Sequence, residues 1–322
     1  MTRQITVAHL YPDVMSTCGD RGNVAAVVRR CRWRNIDVTV TELGLGDKVV
    51  PDQIDLIVIG GGGESRQRQI AGDLYKVKGH AIRDAVAAGT AAFAVGGGFE
   101  LFGRFCQPER GAELRGIELF DSWTICRSVA TGEAAGIPHG ATPHGGATPH
   151  GVTTPHGVTT PHGVTMPHGG TADGPTTTDS AIRDLVVGWE GGLLVGFENS
   201  PGRTYLGAGV TPLGRVVSGR GNNGDGSEGV RLGNAVGTNM RGPCLPANPA
   251  LADFLISAAL SRRYGTVDLA PLADDLELAA RGAAMNRTAL RARGHVPKWL
   301  LGAGAITPRP RFGLRGRAGV RG

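Results

Sequence analysis

Strand-like and helix-like segments alternate along the first hundred residues. Short apolar runs predict four strands, at residues 5–10, 37–43, 55–59 and 91–95. Apolar residues at helical spacing predict helices over residues 23–35 and 67–88. This alternation predicts an α/β fold of the flavodoxin or Rossmann-like kind, with a mostly parallel sheet whose ligands collect at the carboxyl ends of the strands.

The second half of the chain has a different pattern. From residue 185 to residue 238, short apolar runs are separated by Gly, Asn and Asp, which predicts hairpins and an antiparallel part of the fold. Residues 248–263 then predict an amphipathic helix, with Asn248 as its N-cap and Pro249 in its first turn. A further Ala-rich helix is predicted over residues 274–293.

The stretch FAVGGGFELFG, residues 93–103, has the outline of a nucleophile elbow. In such an elbow a strand ends in a strained turn, and flanking glycines let the backbone pass before a helix begins. The turn residue normally carries a nucleophile, whereas Gly96, Gly97 and Gly98 have no side chain. A second glycine run at residues 60–63 lacks the Lys-Ser/Thr of a P-loop, so it favours a tight turn shaping a pocket wall.

Fifty-three glycines among 322 residues indicate glycine-rich loops and low-complexity segments rather than a larger core. A Pro-His-Gly triplet occurs six times between residues 138 and 169, and it predicts a disordered insertion over residues 138–180. Its histidines could bind Zn, Ni or Cu weakly. Repeat expansion in a tolerant surface loop is the favoured interpretation, because flexible histidines do not preorganise a metal site.

The net charge of +6 comes from the end of the chain, since ten Lys or Arg and no acid lie after residue 280. Residues 295–322 are expected to be a solvated, disordered tail, although contact with an anionic membrane surface is an alternative. We expect no nucleic-acid partner and no transmembrane segment.

Five widely spaced cysteines without a CxxC pair or an export signal predict a reducing, cytoplasmic setting.

Several motifs appear in a fixed order along the chain. They are GDRGN at 19–23, IGGGGESRQ at 59–67, the elbow, VGFEN and GRTYLG at 195–207, GNN and EGV at 221–230, and GT followed by RGPCLPANPALAD. In this order they resemble the class I glutamine amidotransferases, in the cobyric-acid-synthase-like branch and its GatD type. The resemblance implies an amidotransferase domain over residues 1–265, interrupted by the insertion, then a helical extension at 266–294 and the basic tail.

The resemblance implies a specific chemistry. A class I glutaminase attacks the glutamine side-chain amide with a Cys thiolate, moves the proton with a His, and holds the oxyanion with backbone N–H groups. The family's Cys position falls on Gly96 and its His position on Arg241. Gly61, Gly62 and Gly97 would form the oxyanion and glutamine pocket.

Other family positions also differ here. The Gln after the elbow is Glu100, and the FENH segment ends in Ser200. The candidate for the substrate-binding Arg is Arg127, although its spacing from the following Gly-acid pair is two residues longer than in the family.

GatD-type subunits supply ammonia to MurT-like ATP-dependent ligases that amidate D-glutamate in lipid II. The resemblance therefore implies a MurT-like partner, glutamine as substrate, lipid II reached through the partner, and no cofactor or metal in this subunit, with ATP and Mg in the partner. Since neither Gly96 nor Arg241 can do the family's chemistry, we predict a catalytically impaired subunit. The alternatives are a non-catalytic scaffold or regulator, an active enzyme with a substitute thiol, and a drifting gene product.

A substitute thiol would need an activating neighbour. Cys244 lies three residues past the His position, and Cys18 lies just before GDRGN. Each is expected to be an inert structural thiol, because only His9 comes near them in sequence and it lies on the first predicted strand. His80 and His295 are expected at the surface.

Overall fold

The computed structural model of the chain describes residues 3–126, 182–199, 201–265 and 267–291. The strands are β1 Arg3–Leu10, β2 Ile36–Leu43, β3 Leu56–Ile59, β4 Ala91–Val95, β5 Phe105–Gln107, β6 Leu114–Arg115, β7 Ser122–Cys126, β8 Arg183–Trp189, β9 Gly192–Glu198, β10 Gly202–Leu206, β11 Gly214–Ser218, β12 Ser227–Glu228, β13 Val230–Leu232 and β14 Ala235–Thr238. The helices are α1 Arg21–Arg32, α2 Glu64–Asp73, α3 Gly79–Ala87, α4 Gly97–Phe102, α5 Cys244–Ala247, α6 Pro249–Tyr264 and α7 Asp275–Arg291.

The main sheet has six strands in the order β13-β14-β4-β3-β1-β2. All its neighbouring strands are parallel except the antiparallel pair of β13 and β14. Two four-stranded sheets, β10-β7-β5-β6 and β12-β11-β8-β9, complete the described part, and most of their pairs are antiparallel. The predicted α/β class, with a mostly parallel sheet and an antiparallel second half, is therefore confirmed.

One strand of the second half does not follow the predicted hairpin pattern. β14 lies parallel to β4, with Val236 opposite Phe93 and Thr238 opposite Val95. The sequence from GNN to GT therefore returns to the parallel sheet and ends beside the elbow. Because β4 and β14 are both fully buried, their small apolar side chains allow close packing from both faces of the sheet.

Helices cover both faces of the main sheet. On one face α1 and α6 pack over apolar side chains that include Val7, Phe93 and Val236. On the other face α2, α3 and α4 pack over Ile57, Ile59 and their neighbours. This two-sided burial explains why the central strands are continuous apolar runs rather than alternating patterns.

The prediction of a single helix over residues 67–88 is wrong in one detail. A π-helical turn at Leu74–Lys78 divides this segment into α2 and α3. A π turn brings residues five apart onto the same side. The Lys78 ammonium, fully buried, thereby reaches Asp73 Oδ2 at 2.5 Å. The Tyr11 hydroxyl donates to the same oxygen at 2.7 Å. The interruption therefore provides a counter-ion for a buried lysine.

Asn248 occupies the predicted N-cap of α6, but its side chain makes no capping hydrogen bond. Instead its Nδ2 donates to the carbonyls of Val195 and Cys244, both at 2.8 Å, and its Oδ1 accepts from Val195 N at 2.8 Å. The buried amide thus pairs with β9 as a neighbouring strand would. It fixes the start of α6 against the second half of the chain.

The predicted helix at 274–293 is observed as α7, which packs against α5, β8 and β9. The Arg281 guanidinium donates to Leu193 O at 3.1 Å. At the start of α7, Asp274 pairs with the buried Arg30 of α1 at 2.6 Å.

The predicted insertion at 138–180 and the tail at 295–322 lie outside the described residues, and the proposed domain boundaries remain a prediction.

Replacing Asn248 with Ala should destabilise the fold by at least about 3 kcal/mol, because three buried backbone groups lose their partner at once. Loss of an ordinary helix cap costs about 1 kcal/mol. Urea unfolding of the full chain measures the difference. Asn234→Ala, which removes one hydrogen bond to Gly89 O, is the matched control, and an equal loss in both variants would contradict the bridging role.

Candidate functional site

Gly96 forms the turn between β4 and α4, at the carboxyl edge of the main sheet. Its backbone angles are φ +51° and ψ −117°, a conformation that L side chains rarely adopt and that characterises a nucleophile elbow. Its N–H donates to Thr238 O at 2.8 Å, and its C=O accepts from Glu100 N at 2.8 Å. The elbow geometry is therefore present although the residue at its apex has no side chain.

The glycines beside the elbow lie against the loop that follows β3. A Cβ atom on Gly98 would come within 2.6 Å of Gly60 O. One on Gly97 would collide with Gly62 O and would lie 2.5 Å from Gln67 Nε2. Two backbone segments therefore cross without room for a side chain, and this close approach accounts for both glycine runs.

The Arg241 side chain lies directly over the elbow. A Cβ atom on Gly96 would lie 2.5 Å from Arg241 Cζ and 2.8 Å from its Nε. The backbone N–H of Arg241 donates to Phe197 O at 2.7 Å, and the residue is only 9 % exposed. The guanidinium thus fills the position where the side chain of an elbow nucleophile would begin.

Two buried carboxylates surround this guanidinium. Glu100 Oε1 lies 3.8 Å from Arg241 Nη2, and Glu100 Oε2 accepts from Gln67 Nε2 at 2.5 Å. Asp20 is fully buried, and burial raises its pKa, although the charge of Arg241 and backbone hydrogen bonds act in the opposite direction. Because a buried charge without a partner costs several kcal/mol, Glu100 offsets the burial of Arg241.

The three glycines predicted to form the oxyanion and glutamine pocket differ in the hydrogen bonds of their backbone amides. The N–H of Gly61 donates to Asp20 Oδ2 at 2.9 Å, and its C=O accepts from Thr17 N at 3.0 Å. Among the described residues, no hydrogen bond engages the N–H of Gly62 or Gly97. An oxyanion role therefore fits Gly62 and Gly97 better than Gly61, and it remains a prediction for all three.

The structure offers no activated substitute thiol among the described cysteines. Cys244 is buried, and burial raises its pKa to about 12. Cys106 lies in the fold 3.7 Å from Glu100 Oε2, and contact with Cys126 and burial raise its pKa. Cys18 is half-buried.

The described histidines that the sequence analysis considered, His9 and His80, do not contact the elbow. His9 is buried on β1, where burial and the charge of Arg21 lower its pKa. His80 is exposed, as predicted, and pairs with Asp84 at 2.6 Å. His295, Arg127 and Ser200 fall outside the described residues.

A buried polar network beside the elbow was not predicted. Glu228 Oε1 accepts from the hydroxyl of Thr238 at 2.7 Å and from Asn239 N at 2.8 Å. Asn239 Nδ2 donates to Asn222 Oδ1 at 3.1 Å, and Asn222 Oδ1 also accepts from Gly229 N. The sequence motifs GNN, EGV and GT thus meet in one cluster, which supports the segment leading to Arg241. The sequence marked these motifs only as members of the ordered set, without indicating that they meet.

Glu228 is an unusual member of this network. It is fully buried, and its Oε2 has no hydrogen-bond partner among the described residues. Burial raises its pKa to about 7, while hydrogen bonds from Thr238 and Asn239 act against that rise. The carboxyl therefore changes its protonation state near neutral pH.

Comparisons with known proteins agree with the motif order. Residues 6–146 match the CobB/CobQ-like glutamine amidotransferase domain. The GatD subunit of the glutamine-hydrolysing lipid II isoglutaminyl synthase of Staphylococcus aureus is 26 % identical over 286 residues, which is 88 % of this chain and 96 % of that protein. The subunit of the same name from Streptococcus pneumoniae is 27 % identical over 276 residues, 85 % of this chain and 87 % of that protein.

Among solved structures, a chain of PurLQS from Thermotoga maritima aligns with 81 % of this chain and 98 % of its own length, at 14 % identity and a TM-score of 0.41. The fold described above rests on the sheet order of this chain itself. Within the part of the chain that the structure describes, no helix is long and apolar enough to cross a membrane.

Replacing Gly96 with Ala should cost about 3 kcal/mol or more, because the Cβ atom adds left-handed strain and displaces the Arg241 guanidinium. In an Arg241→Ala background only the strain, about 1–2 kcal/mol, should remain. A double-mutant cycle of urea unfolding measures this coupling. Gly63→Ala, where a Cβ atom would meet nothing within 4 Å, is the control, and additive losses in the cycle would contradict steric contact.

Glu228 should make stability fall as pH rises. Because its folded pKa is raised from 4.5 to about 7, its proton stabilises the native state below pH 4.5, and this contribution is lost as pH rises to about 7 and above. Glu228→Gln, which keeps the shape and the acceptor oxygen, should gain up to about 3 kcal/mol relative to wild type between pH 5 and pH 8.

Urea unfolding at the two pH values measures this gain for wild type and variant. The exposed Glu113 provides a matched control, since Glu113→Gln should leave the pH dependence unchanged. If Glu228→Gln and wild type differ by the same amount at pH 5 and pH 8, the buried carboxyl does not titrate as described.

Proposed function

We propose that the chain is the GatD-type subunit of a lipid II isoglutaminyl synthase and that its own glutaminase site is inactive. The match of residues 6–146 to the CobB/CobQ-like glutamine amidotransferase domain supports the first part of this proposal. The two relatives named GatD, which match over most of this chain, support the assignment to this type of subunit. The observation that supports an inactive glutaminase site is the position of the Arg241 side chain over Gly96.

Covalent glutamine hydrolysis needs a nucleophile and a proton shuttle. Gly96 offers no atom that could form an acyl-enzyme. A guanidinium is not a proton acceptor in proteins, so Arg241 can neither accept the nucleophile's proton nor return one to the leaving ammonia. Because nucleophile and base act as a unit, losing either costs several orders of magnitude in rate. The guanidinium also occupies the space above the elbow, so it blocks the site where the amide would react.

The three changed positions depend on one another, and this favours a retained protein over a drifting one. Gly96 leaves the space that the Arg241 guanidinium fills, and Glu100 supplies the nearby buried counter-charge. In the GatD-type pattern these positions carry Cys, His and Gln. Independent loss of the catalytic pair would leave a buried guanidinium without compensation, which is costly. The fit of the three side-chain positions to one another is the support for a stable, non-catalytic domain in this proposal.

The remaining alternative is an active enzyme with a substitute thiol. Cys244 and Cys106 are both buried, and their pKa values are raised rather than lowered. A nucleophilic thiol needs the opposite environment, with a cationic or basic neighbour that favours the thiolate. The geometry therefore gives this alternative no support from either residue.

In the proposed role the chain acts as a scaffold or regulator for a MurT-like, ATP-dependent ligase. The ligase would bind ATP, Mg and lipid II and would draw on free ammonia to amidate D-glutamate of the peptidoglycan stem. The subunit itself would need no cofactor. The complex would lie in the cytoplasm, where a reducing environment keeps cysteines such as those described here free.

Glutamate release from glutamine, measured on the complex with the ligase, tests the inactive site. The unaltered chain should give only the background rate. Gly96→Cys alone should also fail, because Arg241 obstructs the new side chain. Gly96→Cys combined with Arg241→His should raise the rate by at least about 100-fold, since it restores both nucleophile and base.

The matched control is Gly96→Ala with Arg241→His, which opens the same space without a thiol and should stay at background. Release by the unaltered chain at the rate of the Cys and His variant would refute an inactive site. Amidation of lipid II with ammonium as nitrogen donor then tests the scaffold role. Leaving this chain out should lower that ammonium-dependent rate, and an unchanged rate would refute the role.

A further inference from the structure

One edge of the main sheet is open in the part of the chain that the structure describes. β2 is the last strand of this sheet, and its eight residues pair on one side only, with β1. The pairing runs without a bulge from Ile36, opposite Arg3, to Leu43, opposite Leu10. An unpaired strand of this length presents a row of backbone N–H and C=O groups that can pair with another strand.

The hydrogen bonds to β1 show which backbone groups face outward. Tyr11 N donates to Leu43 O at 2.7 Å, so the odd-numbered residues of β2 turn their N–H and C=O groups toward β1. Along a strand such residues alternate with residues whose groups point the other way. Val38, Val40 and Glu42 therefore present their backbone groups at the open edge.

β2 lacks the features that keep most sheet edges from pairing. Natural edge strands are short, or they carry Pro, Lys or a bulge, whereas the segment IDVTVTEL contains neither Pro nor Lys. At the opposite edge, β13 has only three residues, and its Arg231 pairs with Glu190. Of the two edges, β2 is thus the one suited to accept a further strand.

Exposed apolar side chains flank the same edge. Trp33, just before β2, is 59 % exposed, and Leu45, just after it, is 52 % exposed. Val40 in the middle of the strand is also exposed. Because apolar side chains exposed together mark an interaction surface, the open edge offers apolar contacts in addition to its backbone groups.

The acidic residues of β2 do not prevent pairing with a second copy of the same strand. In an antiparallel pair, an outward-facing residue lies opposite another outward-facing residue. Asp37 faces β1 and Glu42 faces outward, so these two acids cannot lie directly opposite each other. Glu42 is also paired within its own chain, because its Oε1 accepts from Arg21 Nη1 at 3.1 Å.

One register makes the two copies complementary. With Thr39 opposite Thr39 of the second copy, Val38 lies opposite Val40, and Asp37 lies opposite Thr41. Each of these pairs is of a favourable kind, since two aliphatic side chains pack and a threonine hydroxyl can donate to a carboxylate. The relation is the same in both directions, as a two-fold axis requires.

We propose that β2 is a homodimerisation edge, at which two copies of the chain pair their β2 strands antiparallel about a two-fold axis at Thr39. The two six-stranded sheets would then form one continuous sheet. This inference does not depend on the proposed function, because neither glutamine nor a ligase takes part. One strand pair buries less surface than a standard interface, so the dimer should be weak, with a Kd of about 10–100 µM.

Sedimentation equilibrium of the purified full chain tests the dimer. With loading concentrations from about 5 to 300 µM, which bracket the expected Kd, the wild-type mass should rise from 33.3 kDa toward twice that value. A chain that stays monomeric at every concentration would overturn the proposal.

Substitutions at the axis test the register. Thr39→Lys and Thr39→Asp should each give a monomer, because each puts two like charges opposite each other. An equimolar mixture of the two variants should restore the dimer, since a lysine then faces an aspartate. Thr211→Lys, at an exposed threonine outside β2, is the matched control and should dimerise as wild type does. Urea unfolding checks that each variant is folded.

A gain of affinity provides a test that does not rely on the Thr39 variants. Thr41→Lys puts a lysine opposite Asp37 of the second copy, so it should lower the Kd about 3-fold. An unchanged or weaker dimer in this variant would contradict the register.

Three further outcomes would overturn the proposal. A dimer that Thr39→Lys leaves intact uses another surface, and a mixture of the two Thr39 variants that stays monomeric rejects the axis. If the wild-type chain is monomeric and Thr39→Lys instead prevents binding of the ligase, the edge belongs to the ligase rather than to a second copy.

Discussion

The structure depends on one steric constraint, the crossing of two backbone segments at the carboxyl edge of the main sheet. The loop after β3 and the turn after β4 approach so closely that Gly97 and Gly98 have no room for a Cβ atom. β14 closes the corner, because its Thr238 carbonyl accepts the N–H of Gly96. The packing of β3, β4 and β14 therefore fixes the elbow, and the apex residue contributes only backbone hydrogen bonds to it. This independence explains how the elbow persists without a nucleophile.

The same corner contains buried side chains of opposite charge, Arg241 and Glu100. Arg241 reaches the elbow because the segment after β14 is tied to β9 through Phe197, and Glu100 on α4 lies close enough to compensate it. The guanidinium thus fills the space beside Gly96 in which a side chain would begin. The fold of the elbow is therefore compatible with a buried ion pair at this corner.

Much of this arrangement could be predicted from the sequence. The run at 91–95 matches β4 at both ends, and the glycines at 96–98 indicated the elbow, because buried strands and tight turns have local signatures. The parallel pairing of β14 with β4 could not be predicted, since it joins segments far apart in sequence. Asn248 was placed correctly at the N-cap of α6, but the partners of its side chain could not be predicted. A capping pattern is local, whereas the hydrogen bonds to Val195 depend on the tertiary fold.

The overlap between Arg241 and the position of a Gly96 Cβ atom also constrains how such a protein can change over generations. A side chain does not fit at position 96 while the guanidinium is in place. Removing the guanidinium alone takes a positive charge away from the buried corner that holds Glu100 and Asp20. A substitution at either position alone is therefore unfavourable, whereas compatible substitutions at both positions are tolerated together. The contact makes positions 96 and 241 epistatic to each other.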